Sequence, residues 1–522
     1  MNKKWFGVSL ALALSLSLVA ACGNNENTAD NGAEGNDGTV SGSSGSASGK
    51  DSEFWEETAE IIVTFPTAGN VADEAKIEAA INEITEKEIN THVTLDLVEI
   101  GSYDQQISLK MSSSEPLDLF FSMGFTYQAA QNQLMPMNDL LDEYGQDIKA
   151  LLGDLLDATT VSGEILGVTP YRILNSDVYA VMRTDVLEDL GLLEKAQNMT
   201  SMAEFEEILA AVKENTSYVP LVCDSNGVIL AASGCYLSGD SFSEMGSYDQ
   251  LGDSLKLIAA SMDGEGKVYN NFASAEYREM YERVADWYEK GYVYKDAATT
   301  QDYAASLVKA NVGFAYVCPS EIGVEAVKSA ECGTAMTCVK IMEMPITEST
   351  CSNFVWTIPV TAAEPEAAMK MLNLMYTDSR IANLLAWGIE GEHYVVKDGV
   401  AYYPEGVDAG SCGWHTTDWS YGNQFLVLPW EGQSADFREV SEAALQEAER
   451  SPYLGFVCDT ENIQTELSSV TSVVNEFLPS IDSGTADSAF YDEFLEKLEK
   501  NGVQVIIDEY QLQLDEWLAA RE

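Results

Sequence analysis

The most constraining feature of this sequence is a strand–helix–strand–helix–strand pattern at the start of its folded part. Residues 60–65 form a nearly continuous apolar run, as expected for a strand that is covered on both faces. Further strands are predicted at 93–100 and 117–121, and a helical pattern precedes each of them. Parallel strands joined by right-handed helical crossovers form an open sheet, so the pattern predicts an α/β fold.

The loop after the third of these strands is the first candidate site. Ligands of open parallel sheets bind just beyond the carboxyl ends of the strands. Residues 122–128 should therefore face a ligand crevice, although an aromatic residue in a turn can also be a packing plug. The candidate contacts in this loop are Phe125, Tyr127 and Gln128.

The remainder of the chain indicates a second lobe and a return to the first. Residues 168–172 combine Pro with an aromatic residue and are interpreted as the first crossing, followed by a strand at 177–182 and another at 312–317. The extended segment 354–359 is expected to return to the first lobe. Amphipathic helices complete the chain. They are predicted at 437–450, 461–477, 488–500 and 503–520.

The amino terminus has the organisation of a secretory signal. Lys3 and Lys4 precede an apolar run at 5–20, and small residues follow it, so residues 1–21 are interpreted as a signal peptide. Cys22 directly after two Ala resembles the bacterial lipobox, in which the Cys is lipidated. Ordinary secretion with a chance Cys is the alternative. Residues 22–54 are polar and Gly-rich, which predicts a disordered tether.

The charge of the chain argues against several partners. The net charge is −57, from 85 acidic and 28 basic residues, so nucleic acid and anionic lipid surfaces would be repelled. Hydrophobic residues make up 46% of the sequence, which allows large buried cores. Eight Cys remain besides Cys22, without a C-x-x-C motif. Disulfide pairing stays open, and scattered structural or free thiols are the favoured interpretation.

The stretch 387–430 concentrates the residues that best suit a ligand with ring-shaped apolar faces and polar edges. It holds four of the nine Trp and two of the three His, beside amides and carboxylates. Trp414 and Trp419, flanked by Gly and polar residues, are the favoured ligand platforms, whereas Trp387 and Trp430 are expected to pack. The alternative is that all these rings fill a core. The polar candidates of the stretch are Glu390, His393, Asn423 and Gln424.

Several motifs together resemble one known family. They are D-L-F-F-S at 118–122, G-E-I-L-G-V-T-P-Y at 163–171, and the pair W-G-I-E-G-E-H-Y and Y-G-N-Q-F-L within 387–426. With the signal and lipobox, they resemble the family 1 solute-binding lipoproteins of bacterial ABC transporters, in particular the LipO-type subset. The resemblance implies a two-lobe periplasmic-binding-protein-like fold (class II type), with mixed sheets flanked by helices. Tyr171 would then face the cleft beside Phe125 and Tyr127.

The resemblance also implies domain boundaries. Lobe I is expected to comprise 55–168 plus 352–390, and lobe II 169–351 plus 391–522 with the extra C-terminal helices. Arg172 beside the first crossing could bond ligand hydroxyls, and Trp356 on the return segment completes the candidate ligand-binding set. The protein is expected on the outer face of the cell membrane, lipid-anchored through Cys22, with ABC permease subunits as partners.

The function predicted from these features is capture of a sugar or oligosaccharide for import, without catalysis and without a cofactor. An oligopeptide ligand is the alternative within the binding class. A surface glycan hydrolase is the alternative from another class, because two carboxylates across a cleft could act as acid and base. A metal site built from Glu390, Glu392, His393 and His415 has no supporting spacing, so no metal is predicted.

Overall fold

A computed structural model of the protein describes residues 57–67, 70–113, 115–224, 227–228 and 235–521. The predicted signal peptide, Cys22 and the tether lie outside these described residues. None of the helices described is both long and apolar enough to span a bilayer. The strands are β1 (Ala59–Thr67), β2 (Thr91–Glu99), β3 (Leu119–Ser122), β4 (Thr160–Val161), β5 (Glu164–Ile165), β6 (Asp177–Arg183), β7 (Val219–Leu221), β8 (Tyr248–Asp249), β9 (Ile258–Ser261), β10 (Val268–Asn270), β11 (Gly313–Ser320), β12 (Met336–Met342), β13 (Val355–Thr357), β14 (Val395–Lys397) and β15 (Val400–Tyr402).

The α-helices alternate with these strands and then dominate the last part of the chain. They are α1 (Glu74–Ile89), α2 (Tyr103–Ser113), α3 (Phe125–Ala130), α4 (Asn138–Tyr144), α5 (Gln146–Leu152), α6 (Thr184–Asp189), α7 (Leu193–Gln197), α8 (Met202–Asn215), α9 (Ala275–Glu289), α10 (Ala304–Lys309), α11 (Val324–Cys332), α12 (Glu348–Ser352), α13 (Pro365–Thr377), α14 (Ser379–Ala386), α15 (Phe437–Glu447), α16 (Gln464–Asp482), α17 (Ser488–Lys500) and α18 (Val503–Arg521).

The first sheet has the strand order β13–β3–β1–β2. β1 runs parallel to β2 from Ala59 opposite Thr91 onward, and it is also parallel to β3. α1 and α2 supply the two crossovers, so the predicted strand–helix–strand–helix–strand unit is confirmed. Val63, Phe65 and Leu119 are almost fully buried, because apolar side chains on both faces of the sheet are covered.

The second sheet has the order β12–β6–β11–β7 and is mixed. β6 is antiparallel to both β11 and β12, whereas β7 is parallel to β11. All seven residues of β6 are buried, as expected for a central strand. The two-lobe fold with mixed sheets flanked by helices is confirmed.

Three segments connect the elements around the two sheets. The first leaves the neighbourhood of Val168 and enters β6 at Asp177, and the second leads from β12 through α12 to β13. The third joins α15 to α16 and lies beside the second. There the Ile346 N–H donates to the Glu449 carbonyl, and the Ser451 N–H donates to the Ile346 carbonyl, each at 2.8 Å.

The four predicted C-terminal helices are present as α15 to α18, within a few residues of their expected limits. The stripe on α17 packs into the core beside the second sheet. Phe494 contacts Phe272 edge to face at 5.1 Å between ring centroids, and Tyr491 stacks on Tyr281 at 4.6 Å. These helices therefore enlarge the hydrophobic core of the second lobe.

The segment 391–430 packs on the first lobe, which differs from its predicted assignment to lobe II. The Asp73 N–H, at the start of α1, donates to the Gly413 carbonyl at 3.0 Å. The Trp356 indole N–H on β13 donates to the Ser420 carbonyl at 2.7 Å. The segment follows α14 directly and its large rings fill the space beneath that helix, so it stays beside the elements that precede it.

No disulfide joins any two of the eight Cys within the described residues. Six of them are buried, and the pKa of Cys235 is raised to about 12 by burial. Since the thiolate is the reactive form, such thiols are chemically inert. The interpretation of scattered structural thiols agrees with this arrangement.

Candidate functional site

Each of the two sheets has one edge that lies next to the segments connecting the two lobes. β3 ends at Ser122, and antiparallel β13 begins opposite that residue, so Phe354 lies at the carboxyl edge of the first sheet. In the second sheet β11 ends at Ser320, which pairs with Asp177 at the end of the first crossing. Ligands of α/β proteins bind beyond such edges, so the candidate cleft lies between them.

Four aromatic rings form a connected group at the edge of the first sheet, here called the cleft aromatic group (Phe121, Phe354, Trp356 and Trp419). Phe121 and Phe354 stack with their centroids 6.0 Å apart and an interplanar angle of 7°. Trp419 meets Phe354 edge to face at 5.1 Å. Phe121 and Trp356 are buried, whereas Phe354 and Trp419 are partly exposed. Those two rings are therefore the ones that can contact a ligand.

Arg172 lies against the two exposed rings of this group. Its guanidinium carbon is 5.4 Å from the Trp419 ring centroid and 6.0 Å from that of Phe354, a cation–π arrangement. Its Nη1 group donates to the Ile173 carbonyl at 2.9 Å, while Nε has no partner among the described residues. Desolvation lowers the pKa of Arg172, but a guanidinium stays charged at physiological pH. The site thus combines ring faces with a fixed cation.

A second arginine is held on the same side of the cleft by α15. The Arg438 side chain is buried and forms an ion pair with Asp418, which precedes Trp419 in sequence. Its Nε group donates to the Val427 carbonyl at 2.9 Å. Its Nη1 group, in contrast, has no partner among the residues described. The guanidinium is therefore rigidly placed with one donor group unused.

Glu321 is the residue of the second lobe in this region, and it directly follows β11. The side chain is accessible to solvent, yet surrounding protein atoms desolvate it, and this raises the pKa of its carboxyl group. Arg172 and Arg438 act in the opposite direction and favour the charged form. Accessibility together with desolvation is expected for a group on the wall of a deep cleft.

A groove of about 720 Å³ has a lining that begins at Ile322, the residue after Glu321. One wall is the start of α11 in the second lobe, and the other is the segment that leads into α15. This volume lies within the range of small-molecule sites. Residues that line both walls include Gly323, Glu325, Val327, Trp430, Gln433 and Phe437.

Trp414, one of the two predicted platforms, belongs to the core. Its side chain is completely buried, and its indole N–H donates to the Leu385 carbonyl at 3.0 Å. The neighbouring Thr416 hydroxyl donates to the same carbonyl. The Trp414 indole therefore bonds the last turn of α14 from the core side, and neither face of its ring is exposed. Its assignment as a ligand platform is wrong. The prediction relied on the flanking Gly and polar residues, and such neighbours give no information about burial.

His393 is also a structural residue. Its Nδ1 atom accepts a hydrogen bond from the Ile389 N–H at 2.9 Å, so the proton lies on Nε2, which faces Asp73 Oδ2 at 3.2 Å. Asp73, Glu392 and His393 lie close enough together to suggest a cation site. However, Lys76 already binds both carboxylates, and both ring nitrogens are engaged. The cluster joins 388–393 to α1.

The loop after β3 forms the short helix α3 rather than an open loop. Phe125 is only 3% exposed and packs in the core of the first lobe, so its predicted ligand contact is not available. Gln128 is buried as well, and its Oε1 atom accepts a hydrogen bond from the Ser122 hydroxyl at 2.6 Å. Tyr127 is 64% exposed. Of the three, Tyr127 is the side chain free to meet a ligand.

Tyr171, Asn423 and Gln424 connect the aromatic stretch to the first crossing. The Tyr171 N–H donates to the Gly422 carbonyl, and the Gln424 N–H donates to the Tyr171 carbonyl. The Gln424 side-chain oxygen accepts from the Ile173 N–H at 3.1 Å, while the Asn423 side-chain oxygen caps the turn that follows it. The three side chains are buried. They position Trp419 and Arg172 instead of facing open space.

The last two candidates, Trp356 and Glu390, have different environments in the first lobe. Trp356 is fully buried beneath Phe121, so it supports the cleft aromatic group from below. Glu390 is exposed on the rim of another groove, of about 800 Å³, between α1 and α14. No member of the cleft aromatic group lines that groove. Glu390 is therefore separate from the cleft described above.

Four residues of the cleft were missed from the sequence: Phe354, Asp418, Glu321 and Arg438. Two of them had a usable signal, since Phe354 directly precedes β13 and Glu321 directly follows β11. Strand ends mark the crevice in sheets of this kind. Arg438 has no such signal, because it reaches the cleft only through the packing of α15.

Comparison with known proteins defines the class. The sequence matches the family described as bacterial extracellular solute-binding protein over residues 68–379. This match spans more than half of the chain, so the protein belongs to that family. The predicted family resemblance is confirmed. Residues 452–519 also match a domain of unknown function (DUF3502), which covers most of α16 to α18.

Individual relatives are more distant. The chain is 25% identical over 454 residues to a carbohydrate ABC transporter substrate-binding protein of Streptococcus pneumoniae, a span of 84% of this chain and 87% of the relative. The crystal structure of the N-glycan transport solute binding protein NgtS from S. pneumoniae matches with a TM-score of 0.75 at 22% identity, covering 89% and 100% of the two chains. Its complex with Man1GlcNAc matches with a TM-score of 0.65 at 21% identity, covering 88% and 100%.

Proposed function

We propose that the protein captures an oligosaccharide in the interlobe cleft and delivers it to an ABC importer. The observation that carries this proposal is the exposed pair Trp419 and Phe354 with the Arg172 guanidinium held against both rings. A sugar ring has an apolar C–H face that stacks on indole or phenyl rings. Its hydroxyl groups accept hydrogen bonds from fixed donors. The cleft offers both kinds of partner side by side.

The relatives support the same ligand class. NgtS has been crystallised with Man1GlcNAc and with Man5GlcNAc, and the relative that is 25% identical is a carbohydrate ABC transporter substrate-binding protein. An N-glycan fragment is thus the first ligand to examine here. The groove of about 720 Å³ beside Glu321 has room for more than one sugar unit.

The remaining parts of the proposal concern assembly. Residues 1–21 would be removed as a signal peptide, Cys22 would carry the lipid, and 22–54 would act as the tether on the extracellular face. Lobe I would comprise 55–168 plus 352–430, since 391–430 contacts α1, α14 and β13. Lobe II would comprise 169–351 and the helices from α16 onward. The closed protein would dock on permease subunits, and it would perform no catalysis.

Titration of the purified protein with a ligand panel tests the proposal. The panel comprises Man1GlcNAc, Man5GlcNAc, unrelated neutral oligosaccharides and tri- to hexapeptides, measured by calorimetry and by thermal shift. We expect a dissociation constant in the micromolar range or tighter for at least one mannose- or N-acetylglucosamine-containing glycan. Tight binding of peptides without a response to any saccharide would refute it. Release of free sugar during incubation would instead indicate a hydrolase.

A further inference from the structure

Three polar groups at the cleft have charge or hydrogen-bonding capacity that the described residues leave unused. Arg172 Nε and Arg438 Nη1 are buried donor nitrogens without a partner among those residues. Glu321 is an acceptor that makes no ion pair within the described part of the chain. A buried donor without a partner costs about 1–3 kcal/mol, so such groups generally find one in the functional state.

The two donors are held by different means, so neither can easily turn away. Stacking against Trp419 and Phe354 fixes the plane of the Arg172 guanidinium. The ion pair with Asp418 and the bond to the Val427 carbonyl fix Arg438. Asp418 neutralises Arg438, while Arg172 has no acidic partner within ion-pair distance in the described structure. The charge of Arg172 is therefore the one left uncompensated.

Glu321 is the acid best placed to compensate it. The residue follows Ser320, the last residue of β11, at the edge of the second sheet that faces the first crossing. The charged groups that influence its carboxylate are Arg172, Asp418 and Arg438. Asp418 lies on the segment that packs on the first lobe, and Arg438 on α15 is ion-paired to it. The Arg172 guanidinium, although it belongs to the first crossing, stacks on Phe354 and Trp419 of the first lobe. Glu321 thus faces charged groups that are held against the first lobe.

We propose that Glu321 is a closing contact: on hinge closure its carboxylate binds Arg172 and takes up the free donor of Arg438, locking the two lobes over the ligand. This inference rests on the proposed interlobe binding function. In the structure described here Glu321 forms no ion pair with either arginine, while Gly323, two residues after Glu321, and Phe437, the residue before Arg438, line the same groove. Closure removes water from the cleft, so the ion pair strengthens as the site becomes dry. The ligand and the closing contact then stabilise the same state.

The release rate of a bound glycan measures this contact directly. Stopped-flow tryptophan fluorescence, with Man5GlcNAc as probe, compares wild type with Glu321→Gln. We expect a roughly ten-fold faster dissociation for Glu321→Gln, since most interface effects appear in the off-rate. Glu289→Gln, at an exposed position on α9, makes the same charge change outside the cleft and should alter the rate less than about two-fold.

A double-mutant cycle separates the closing contact from a direct ligand contact. In an Arg172→Gln background, Glu321→Gln should change the rate less than about two-fold, because its partner is already missing. The wild-type rate should also rise more steeply with salt than that of Glu321→Gln. An unchanged rate for Glu321→Gln, or an equal effect in both backgrounds, would overturn the inference.

A cross-linking experiment decides the inference without any ligand. The double variant Glu321→Cys with Asn353→Cys, at the position before Phe354, should form a disulfide under mild oxidation if closure brings these edges together. The pair Glu289→Cys and Asn353→Cys should not. Absence of the first cross-link refutes the closing contact even if glycans bind. Failure of every glycan to bind, with the cross-link present, would refute only the proposed ligand class.

Discussion

Trp414 and Trp419 are five positions apart in similar sequence surroundings, yet they belong to different parts of the molecule. Trp414 lies wholly in the core, with its indole N–H bonded to the Leu385 carbonyl. Trp419 is partly exposed and lies between Phe354 and the Arg172 guanidinium. The difference arises because Thr416 and Ser420 are bonded to different elements, α14 and β13. The chain turns between them, and one ring is buried while the other faces the cleft.

The comparison shows which property makes an aromatic residue a ligand platform. Both rings have neighbours that are Gly or polar residues, so local sequence does not separate them. What separates them is whether packing leaves one ring face open. The following predictions test that distinction, beginning with the largest expected effect.

Trp414→Ala should be the most destructive change. Removing a fully buried indole leaves a cavity in the core, so the free energy of unfolding should fall by about 3–5 kcal/mol. Urea denaturation measures this loss. The fraction that remains folded should bind glycan with unchanged affinity. Weakened binding with little loss of stability would show that Trp414 is a platform after all.

His415 lies between the two Trp in sequence, and its burial should make the free energy of unfolding depend on pH. Its ring stacks on Trp387 with centroids 4.7 Å apart, and desolvation lowers its pKa from 6.5 to about 4. As the pH is lowered, His415 becomes protonated in the unfolded chain at a higher pH than in the folded protein. The His415 contribution to the free energy of unfolding should therefore fall by up to about 3 kcal/mol between pH 6.5 and 4.

The His415→Phe variant isolates this effect, because all other titrating groups are retained. Denaturation of both proteins at pH 7, 5.5 and 4 should give a difference that grows steadily toward acid pH in favour of the variant. A difference independent of pH would place His415 in contact with solvent, on the side of the cleft.

Trp419→Ala should act mainly on binding. Loss of the stacking face and of the cation–π partner of Arg172 should raise the glycan dissociation constant about 10- to 100-fold. The free energy of unfolding should fall by less than in Trp414→Ala, because Trp419 is only partly buried. Trp419→Phe is the matched control and should recover most of the affinity. A stability loss equal to that of Trp414→Ala would remove the distinction between the rings.

Tyr127→Ala should have the smallest effect. The side chain is 64% exposed on α3, so thermal unfolding should change by no more than about 0.5 kcal/mol. Its effect on glycan affinity should remain below that of Trp419→Ala, because no other ring pairs with it in the described structure. A larger loss of affinity would show that the ligand-binding cleft reaches as far as α3.

Much of the fold was predictable because it depends on local patterns. The apolar runs predicted β1 and β3, and the apolar stripe of α17 predicted a helix that packs on one face. Helix and strand periods are set by neighbouring residues, so the sequence contains them directly. The site was harder, since four of its residues escaped notice and Phe125, His393 and Trp414 were assigned to it wrongly.

The sequence by itself determined the strand–helix alternation, the family and the two-lobe arrangement. The tertiary structure decided which side chains line the cleft. Residue 172 meets 354 and 419 only after two chain crossings bring them together, and no local pattern encodes such contacts. Whether a Trp is core or platform depends on the packing of elements far apart in sequence, and burial is a property of that packing.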